Sequence, residues 1–322
     1  MILRSLSRLT FLLSLTFAAS VSQAAGFQRL NLPMDQNGPG LSGAVWYPCA
    51  AAASEIKIGR TTTAGALNCA VTEGVHPLIV ISHGASGSFL SHHDTAEALA
   101  DAGFVVAAIN HVGDNAQDRS RQGYLSIFST RPREMRRLID YMTSAWPQKA
   151  HVDPAKIGLF GFSRGGYTGL VLAGAVPDFK AGLAICQDLQ ALPMCRDIAS
   201  GKVPQQPYPR DDRIKAAVIV DPLNAFSAES LAAVSIPVQL WASERGGDGV
   251  TPASVAAISK ALGAAPEVHV AKGAGHFAFL APCSAEQAQA LPDICRDQDG
   301  FDRQQFHRDL NAKVVEYFKN QL

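Results

Sequence analysis

The chain has 322 residues, of which 47% are hydrophobic and 17% are charged. This length is enough for one large domain with a sizeable hydrophobic core. Lysine plus arginine and aspartate plus glutamate balance at 28 each. Proteins that bind nucleic acid normally carry a basic excess, so no nucleic-acid partner is expected.

The N-terminus has the pattern of a targeting segment. Arg4 and Arg8 precede an apolar run at residues 9–19, and small residues follow up to Ser22-Gln23-Ala24. This order is typical of a secretory signal peptide with a small-x-small cleavage site. The apolar run is shorter than the ~20 residues that a membrane span needs. The sequence therefore predicts a signal peptide at 1–24, a mature chain at 25–322 without stable membrane insertion, and a periplasmic or secreted location.

Strand-like and helical patterns alternate along the mature chain. Short apolar runs predict strands at residues 41–47, 77–82, 104–110, 156–160, 216–220, 238–242 and 267–270. Helical spacing of apolar residues predicts helices at 95–102, 133–146, 167–175 and 304–318. Such alternation is typical of an α/β domain with a mostly parallel central sheet flanked by helices. A polar, alanine-rich insertion is expected at 50–63, and a cap-like insertion over the site at 177–213, which is rich in proline and aspartate.

The six cysteines agree with export. An even number of cysteines in an exported chain indicates disulfides rather than free thiols. Neighbours in sequence form three close pairs in probable loops, so sequential pairing is predicted: Cys49–Cys69, Cys186–Cys195 and Cys283–Cys295. Neither CxxC nor HxxxH spacing occurs, so zinc is not expected.

The strongest motif for chemistry is Gly161-Phe162-Ser163-Arg164-Gly165. It follows a predicted strand and begins a predicted helix, which is the context that a G-x-S-x-G nucleophile elbow requires. In such a turn the serine hydroxyl is exposed to substrate, and the glycines leave room for neighbouring backbone. Ser163 is therefore the predicted nucleophile.

A serine hydroxyl needs a base to take its proton. His276 follows the last predicted strand and precedes the last helix, which suits the chain order Ser, acid, His. The acid is left open among three carboxylates. Asp248 is the first choice because it follows the strand at 238–242 and has glycine neighbours; Asp221, directly after the strand at 216–220, is the alternative, and Glu244 is the third.

Backbone amides are expected to stabilise the oxyanion that forms during acyl transfer. One donor is the N–H of Arg164, the residue after the nucleophile, and the other is the N–H of Ala85 in the turn after residues 77–82. His92-His93-Asp94 has ligand-type side chains, but it is interpreted as a helix start with an acidic first turn, and no metal is expected.

Several longer motifs carry a resemblance to a known group of enzymes. They are SHGASGS at 82–88, NHVGD at 110–114, RPREMRRLIDYM at 131–142, GFSRGGYTGLVLAG at 161–174 and GAGHFAFLAPC at 273–283. On these the mature chain resembles the bacterial "predicted dienelactone hydrolase" group and its relatives among platelet-activating-factor acetylhydrolases and polyester-cleaving serine esterases. The resemblance implies an α/β-hydrolase fold and cleavage of carboxylic esters without metal or cofactor.

The resemblance has two limits. Dienelactone hydrolases proper use a cysteine nucleophile, so the serine at position 163 means that lactone chemistry does not follow from the group's name. The acetylhydrolase-like relatives place their acid where Asp221 stands, whereas the others place it where Asp248 stands. The expected function is a serine esterase acting on small-molecule, lipid or polyester esters. A peptidase or amidase with the same triad and a non-catalytic binding protein are the alternatives.

Overall fold

The computed structural model describes residues 24–179, 186, 193–204 and 207–322. Within them ten strands form one sheet. The strands are β1 (Gly26–Leu32), β2 (Leu41–Tyr47), β3 (Ser54–Ile58), β4 (Thr61–Leu67), β5 (His76–Ser82), β6 (Val105–Ile109), β7 (Val152–Phe162), β8 (Ile214–Val220), β9 (Val238–Ser243) and β10 (Glu267–Ala271). The helices are α1 (His93–Asp101), α2 (Ile127–Ser144), α3 (Arg164–Leu172), α4 (Pro193–Ala199), α5 (Ala228–Leu231), α6 (Pro252–Ala261), α7 (Ala285–Ala290), α8 (Pro292–Cys295) and α9 (Arg303–Gln321).

The spatial order of the sheet is β10-β9-β8-β7-β5-β6-β2-β1-β4-β3. The six strands from β10 to β6 pair in parallel, and β2 joins them antiparallel to β6. Because the strands run in parallel, the carboxyl ends of β5, β7, β8 and β9 meet at one edge of the sheet. In open α/β sheets that edge is where ligands bind.

The hydrophobic core consists of two layers, one on each face of the sheet. Side chains alternate along a strand, so Leu78 and Val80 of β5 pack in one layer while Ile79 and Ile81 pack in the other. Helices α2, α3 and α6 supply residues to the first layer, and α1 and α9 to the second. Burial on both faces explains why these strands are continuous apolar runs.

Helix α2 begins six residues before the predicted start and contains Pro132. A proline inside a helix leaves the carbonyl four residues earlier without its usual donor. Here that carbonyl belongs to Phe128, and it accepts a hydrogen bond of 3.3 Å from the Tyr167 hydroxyl of α3. The bond satisfies the carbonyl at the point where α2 packs on α3.

The first part of the chain differs from its prediction. The polar stretch expected as an insertion at 50–63 forms most of the β3–β4 hairpin, which extends the sheet through parallel pairing of β4 with β1. Strand β1, which the apolar pattern did not reveal, pairs antiparallel with β2 along its whole length, from Gly26 opposite Tyr47 to Leu32 opposite Leu41.

The expected cap is not found among the described residues of 177–213. Phe179, Cys186, Cys195 and Ile198 are buried in the core layer that contains α2 and α3, and the Met194 amide donates to the Gly123 carbonyl at 2.8 Å. Apolar burial therefore holds these described residues against the body of the domain.

The six cysteines are joined as Cys49–Cys69, Cys186–Cys195 and Cys283–Cys295. The predicted signal peptide lies outside the described residues, except for Ala24. Across the described ranges, no helix combines the length and apolar character needed to cross a membrane.

Candidate active site

Ser163 lies in a sharp turn between β7 and α3. Its backbone has φ 57° and ψ −117°, a strained conformation for a residue with a side chain. A Cβ atom at Gly161 would lie 2.3 Å from the Gly165 carbonyl oxygen, and one at Gly165 would lie 1.8 Å from the Ser82 carbonyl oxygen. Both glycines are therefore required for the close backbone contacts that hold this turn.

A continuous chain of hydrogen bonds runs from Ser163 to a buried carboxylate. His276 Nε2 is 3.0 Å from Ser163 Oγ, and His276 Nδ1 is 2.7 Å from Asp221 Oδ2. Ser163, His276 and Asp221 are 5%, 2% and 0% exposed, so water competes little with these bonds. In serine hydrolases this geometry joins a nucleophile, a base and a group that orients the base.

Asp221 is held by a residue that the sequence analysis did not identify. The Ser243 amide donates to Asp221 Oδ1 at 2.9 Å, and the Ser243 hydroxyl donates to Oδ2 at 2.7 Å. Asp221 itself has φ 44° and follows β8 directly. Ser243 ends the neighbouring strand β9. The parallel pairing of β8 with β9 brings it beside Asp221, and this pairing could not be derived from the sequence.

The prediction that Asp248, the first choice for the acid, lies beside His276 Nδ1 is wrong. Asp248 is exposed and does not contact the ring nitrogens of His276, because Asp221 occupies that position. The glycine neighbours that favoured it have another use: the Gly246 carbonyl accepts the His276 amide at 2.8 Å. A Cβ at Gly247 would lie 3.1 Å from His276 Cβ. This loop therefore packs closely against His276 and helps to fix the position of its backbone.

Glu244, the third option, is also turned away from the histidine. It is exposed, and its carboxylate accepts hydrogen bonds from Lys272 Nζ at 3.0 Å and from the Gly273 amide at 2.8 Å. The Gly273 amide and Lys272 together lower the pKa of Glu244 below its ordinary value. Its role is to fasten the turn that precedes His276.

The two predicted oxyanion donors lie beside Ser163. Arg164 is the first residue of α3, and the first N–H groups of a helix have no acceptor within the helix. Ala85 and Ser163 line the same cleft. A Cβ at Gly84 would lie 3.3 Å from Ser163 Cβ, so the turn that contains Ala85 passes directly against the serine.

The cleft above Ser163 has a volume of about 280 Å³. Among its larger apolar side chains, Phe162 is buried, and solvent reaches the others, which are Leu90, Phe277, Leu280, Leu291 and Ile294. One wall is the disulfide-closed segment 283–295, which contains α7 and α8. None of the described residues of 177–213 lines the cleft.

The segment 283–295 is docked on the turn of the β3–β4 hairpin. Ser284 Oγ donates to the Arg60 carbonyl at 3.2 Å, and Gln287 Nε2 donates to Thr61 Oγ1 at 3.1 Å. This wall was not predicted from the sequence. The signal that was present is a cysteine pair that begins only seven residues after the predicted base.

The His92-His93-Asp94 stretch does not converge on a point. His92 is buried between the rings of Phe160 and Phe162, with centroid distances of 5.1 and 5.3 Å. His93 Nδ1 is 2.8 Å from Glu97, and Asp94 Oδ2 is 2.6 Å from His307 Nδ1. In the ranges that the structure describes, no group of three or more His, Cys, Asp or Glu side chains is arranged to hold a metal ion.

Comparison with known proteins supports the interpretation of the fold. A family model described as "Serine aminopeptidase, S33", of the Hydrolase_4 family, matches residues 74–191. The match spans Ala85 and Ser163 but neither Asp221 nor His276. Among solved structures, a ferulic acid esterase from Streptomyces cinnamoneus aligns with a TM-score of 0.65 at 16% identity, over 95% of this chain and 91% of that chain.

The chain has the α/β-hydrolase fold. At 16% identity the structural likeness shows the fold alone, and the family model covers less than half of the chain. No curated protein matches the sequence.

Proposed function

We propose that the protein is an exported hydrolase of carboxylic esters that works through an acyl-enzyme. The observation that carries the proposal is the hydrogen-bonded path from Ser163 through His276 to Asp221 on the floor of a partly apolar cleft. The α/β-hydrolase fold and the likeness to the structure of a ferulic acid esterase support it. The resemblance to polyester-cleaving esterases and acetylhydrolases points the same way.

The proposed reaction begins when Ser163 Oγ attacks the ester carbonyl carbon. The hydroxyl proton passes to His276 Nε2, and Asp221 stabilises the imidazolium that forms. The Ala85 and Arg164 amides donate to the carbonyl oxygen as it gains negative charge. The intermediate then collapses, the alcohol leaves with the proton from His276, and Ser163 carries the acyl group.

The second half of the reaction uses the same groups. Water attacks the acyl-enzyme while His276 again accepts a proton, and the carboxylic acid is released from Ser163. Each proton transfer in this scheme uses a side chain of the triad, so no cofactor or metal is invoked.

The cleft favours small esters with an uncharged, apolar group. Leu280, Leu291 and Ile294 offer apolar surface within a volume of about 280 Å³. Burying apolar surface contributes roughly 25 cal/mol per Å². Because the volume of the cleft limits how much of a chain can be buried, we propose short-chain or aryl esters as preferred substrates over long-chain lipids.

Amide cleavage is the second candidate function. The matched family model is described as a serine aminopeptidase, and the same triad is able to cleave amides when the leaving amine is protonated by the histidine. An ester and an amide with identical acyl groups distinguish the two activities, because an esterase turns over only the ester at an appreciable rate.

Export is proposed from two independent features. The N-terminal pattern is that of a signal peptide, and three disulfides join all six cysteines. Disulfides persist in the periplasm and outside the cell. N-terminal sequencing of the protein from its native compartment tests the cleavage after Ala24; an N-terminus that begins at Met1 would contradict it.

The central experiment is labelling with a fluorophosphonate probe, followed by assays with esters of graded acyl length. We expect the wild type to be labelled on Ser163 and the folded Ser163→Ala variant to remain unlabelled. The same substitution should lower ester turnover by several orders of magnitude, as loss of a triad member does. Near-normal turnover by folded Ser163→Ala would refute the proposed function.

A further inference from the structure

Asp114 is a buried carboxylate in the loop after β6, and it contacts both segments that supply oxyanion donors. It is 0% exposed. Arg164 Nη1 donates to its two oxygens at 2.7 and 2.8 Å, and the Ser86 amide donates to Oδ1 at 3.3 Å. One carboxylate is therefore bonded to the residue after the nucleophile and to the turn that contains Ala85.

Arg131 of α2 acts on the same turn from the other side. It is 1% exposed, and its Nη2 donates to the carbonyls of His83 and Gly84 at 2.8 and 2.9 Å. Its Nε lies 3.1 Å from Asp114 Oδ2. The Gly84 carbonyl and the Ala85 N–H belong to one planar trans peptide, so they point in opposite directions. Fixing the carbonyl therefore fixes the direction of the Ala85 N–H.

We propose that Asp114 and Arg131 are positioning residues that hold the Ala85 and Arg164 amides in the geometry of an oxyanion hole. The inference rests on the proposed function, because it assigns these amides to the oxyanion. Neither side chain has to touch substrate. Their effect passes through the two backbone N–H groups beside Ser163.

The charges in this cluster agree with the proposal. Burial raises the pKa of Asp114, but Arg131 and Arg164 outweigh it and bring that pKa below its ordinary value. Burial lowers the pKa of Arg131 to about 10, so it stays protonated at neutral pH. The pKa values of His83 and His111 are held well below their usual range by burial and by Arg131. The Arg164–Asp114 hydrogen bonds therefore join two charged groups, which makes them stronger than neutral hydrogen bonds, and Arg131 adds an ion pair to the same carboxylate.

The same helix provides a matched control. Arg137 of α2 is also buried and also combines one carboxylate with two backbone carbonyls. Its Nε donates to Asp35 at 3.1 Å, and its terminal nitrogens donate to the carbonyls of Pro39 and Pro33 at 2.8 and 3.2 Å. It does not line the cleft. Replacing Arg137 therefore disturbs a comparable network away from the oxyanion donors.

The test compares Asp114→Asn, Arg131→Lys and Arg137→Lys with the wild type on one short-chain ester. A lysine keeps the charge but lacks the planar fork that bonds two carbonyls at once. Loss of one whole oxyanion donor costs roughly 10²–10³ in kcat. Misdirected donors should cost less, so we expect kcat to fall about 10- to 100-fold in Asp114→Asn and Arg131→Lys, with little change in KM.

Inhibition by a trifluoromethyl ketone supplies a second readout. Ser163 adds to this ketone, and the resulting oxyanion occupies the same place as the oxyanion in the reaction. The inhibition constant should rise by about the same factor as kcat falls in the two site variants. Arg137→Lys should keep the kcat and the inhibition constant of the wild type, even if its melting temperature falls.

The outcomes are distinguishable. Wild-type kcat and inhibition constant in both site variants would overturn the inference, and so would an equal loss of kcat in Arg137→Lys. If Asp114→Asn does not fold, Arg131→Lys alone decides between these results. A wild type that neither hydrolyses esters nor is labelled on Ser163 would refute the proposed function, and this inference with it.

Discussion

The choice between Asp221 and Asp248 gives the sharpest prediction, through the substitution Asp221→Asn. The Ser243 amide must donate to an acceptor at the Oδ1 position, so the new amide oxygen should take that position. The amide nitrogen then faces His276 Nδ1, where Asp221 Oδ2 now lies at 2.7 Å. A donor there forces Nδ1 to accept and leaves the proton on Nε2, which then cannot take the Ser163 proton.

The expected loss is large because the wrong tautomer blocks the first step. A histidine fixed in this tautomer, with no charge to stabilise its imidazolium, costs about 10⁴-fold in kcat, equivalent to about 5 kcal/mol. The matched control is Asp248→Asn, which makes the same chemical change at an exposed position of the same cleft. It should change kcat less than about threefold, which is under about 0.7 kcal/mol in the activation barrier, because Asp221 and not Asp248 bonds the His276 ring.

The assay is steady-state hydrolysis of a soluble short-chain ester. The melting temperature and the near-ultraviolet circular dichroism spectrum of each variant establish that it is folded. If Asp221→Asn keeps more than a tenth of the wild-type kcat, the tautomer argument is refuted. If Asp248→Asn loses activity by orders of magnitude instead, the acid has been assigned to the wrong carboxylate.

Three further predictions concern stability. Burial lowers the pKa of His92 to about 3, so as pH falls below about 6.5 the unfolded state binds a proton before the folded state does. Between pH 7 and pH 5 the free energy of unfolding of the wild type should therefore fall by about 2 kcal/mol more than that of His92→Phe. Urea unfolding at both pH values measures this difference. Gly165→Ala should lower the free energy of unfolding by about 1–3 kcal/mol or prevent folding, because its Cβ would lie 1.8 Å from the Ser82 carbonyl oxygen; urea titration measures it. Replacing Cys283 and Cys295 by serine should cost about 2–3 kcal/mol and raise KM for apolar esters, because the segment 283–295 forms a wall of the cleft; thermal melts and ester kinetics measure these effects.

Each of these has a contradicting result. Equal pH dependence in the wild type and His92→Phe would show that other groups dominate acid lability. A Gly165→Ala protein of wild-type stability would mean that the turn moves away from Ser82 at little cost. An unchanged KM in the cysteine double variant would show that the wall keeps its shape without the bond.

The contact of Ser163 with His276 could be predicted from the sequence because each residue lies in a local pattern. Gly161 and Gly165 flank Ser163 at a spacing that the backbone contacts of the turn demand, and His276 follows the last strand of the sheet. Hydrophobic runs likewise predicted the parallel strands, since these are buried on both faces. The resulting α/β-hydrolase fold is confirmed by the structural comparison.

What could not be predicted depends on contacts between distant parts of the chain. Asp221 and Asp248 both follow strands, and only the contacts of Asp221 with His276 and Ser243 separate them. Strand β4 contains three threonines and few large apolar residues, so hydrophobic alternation does not reveal it. Asp114 and Arg131 are charged, and charged residues are expected at the surface because they are rarely buried without a partner. Their partners in the fold lie many residues away in sequence, so the burial of these two residues could not be predicted.

The pairing of the cysteines has a consequence for biogenesis. Each bond joins a cysteine to the next one in sequence, across separations of 20, 9 and 12 residues. In a chain that enters an oxidising compartment N-terminus first, each thiol meets its native partner before the next pair has emerged. Consecutive oxidation then yields the native set directly. If the chain is exported as proposed, a thiol oxidase would be sufficient for this order of events, without an isomerase to reshuffle misplaced bonds.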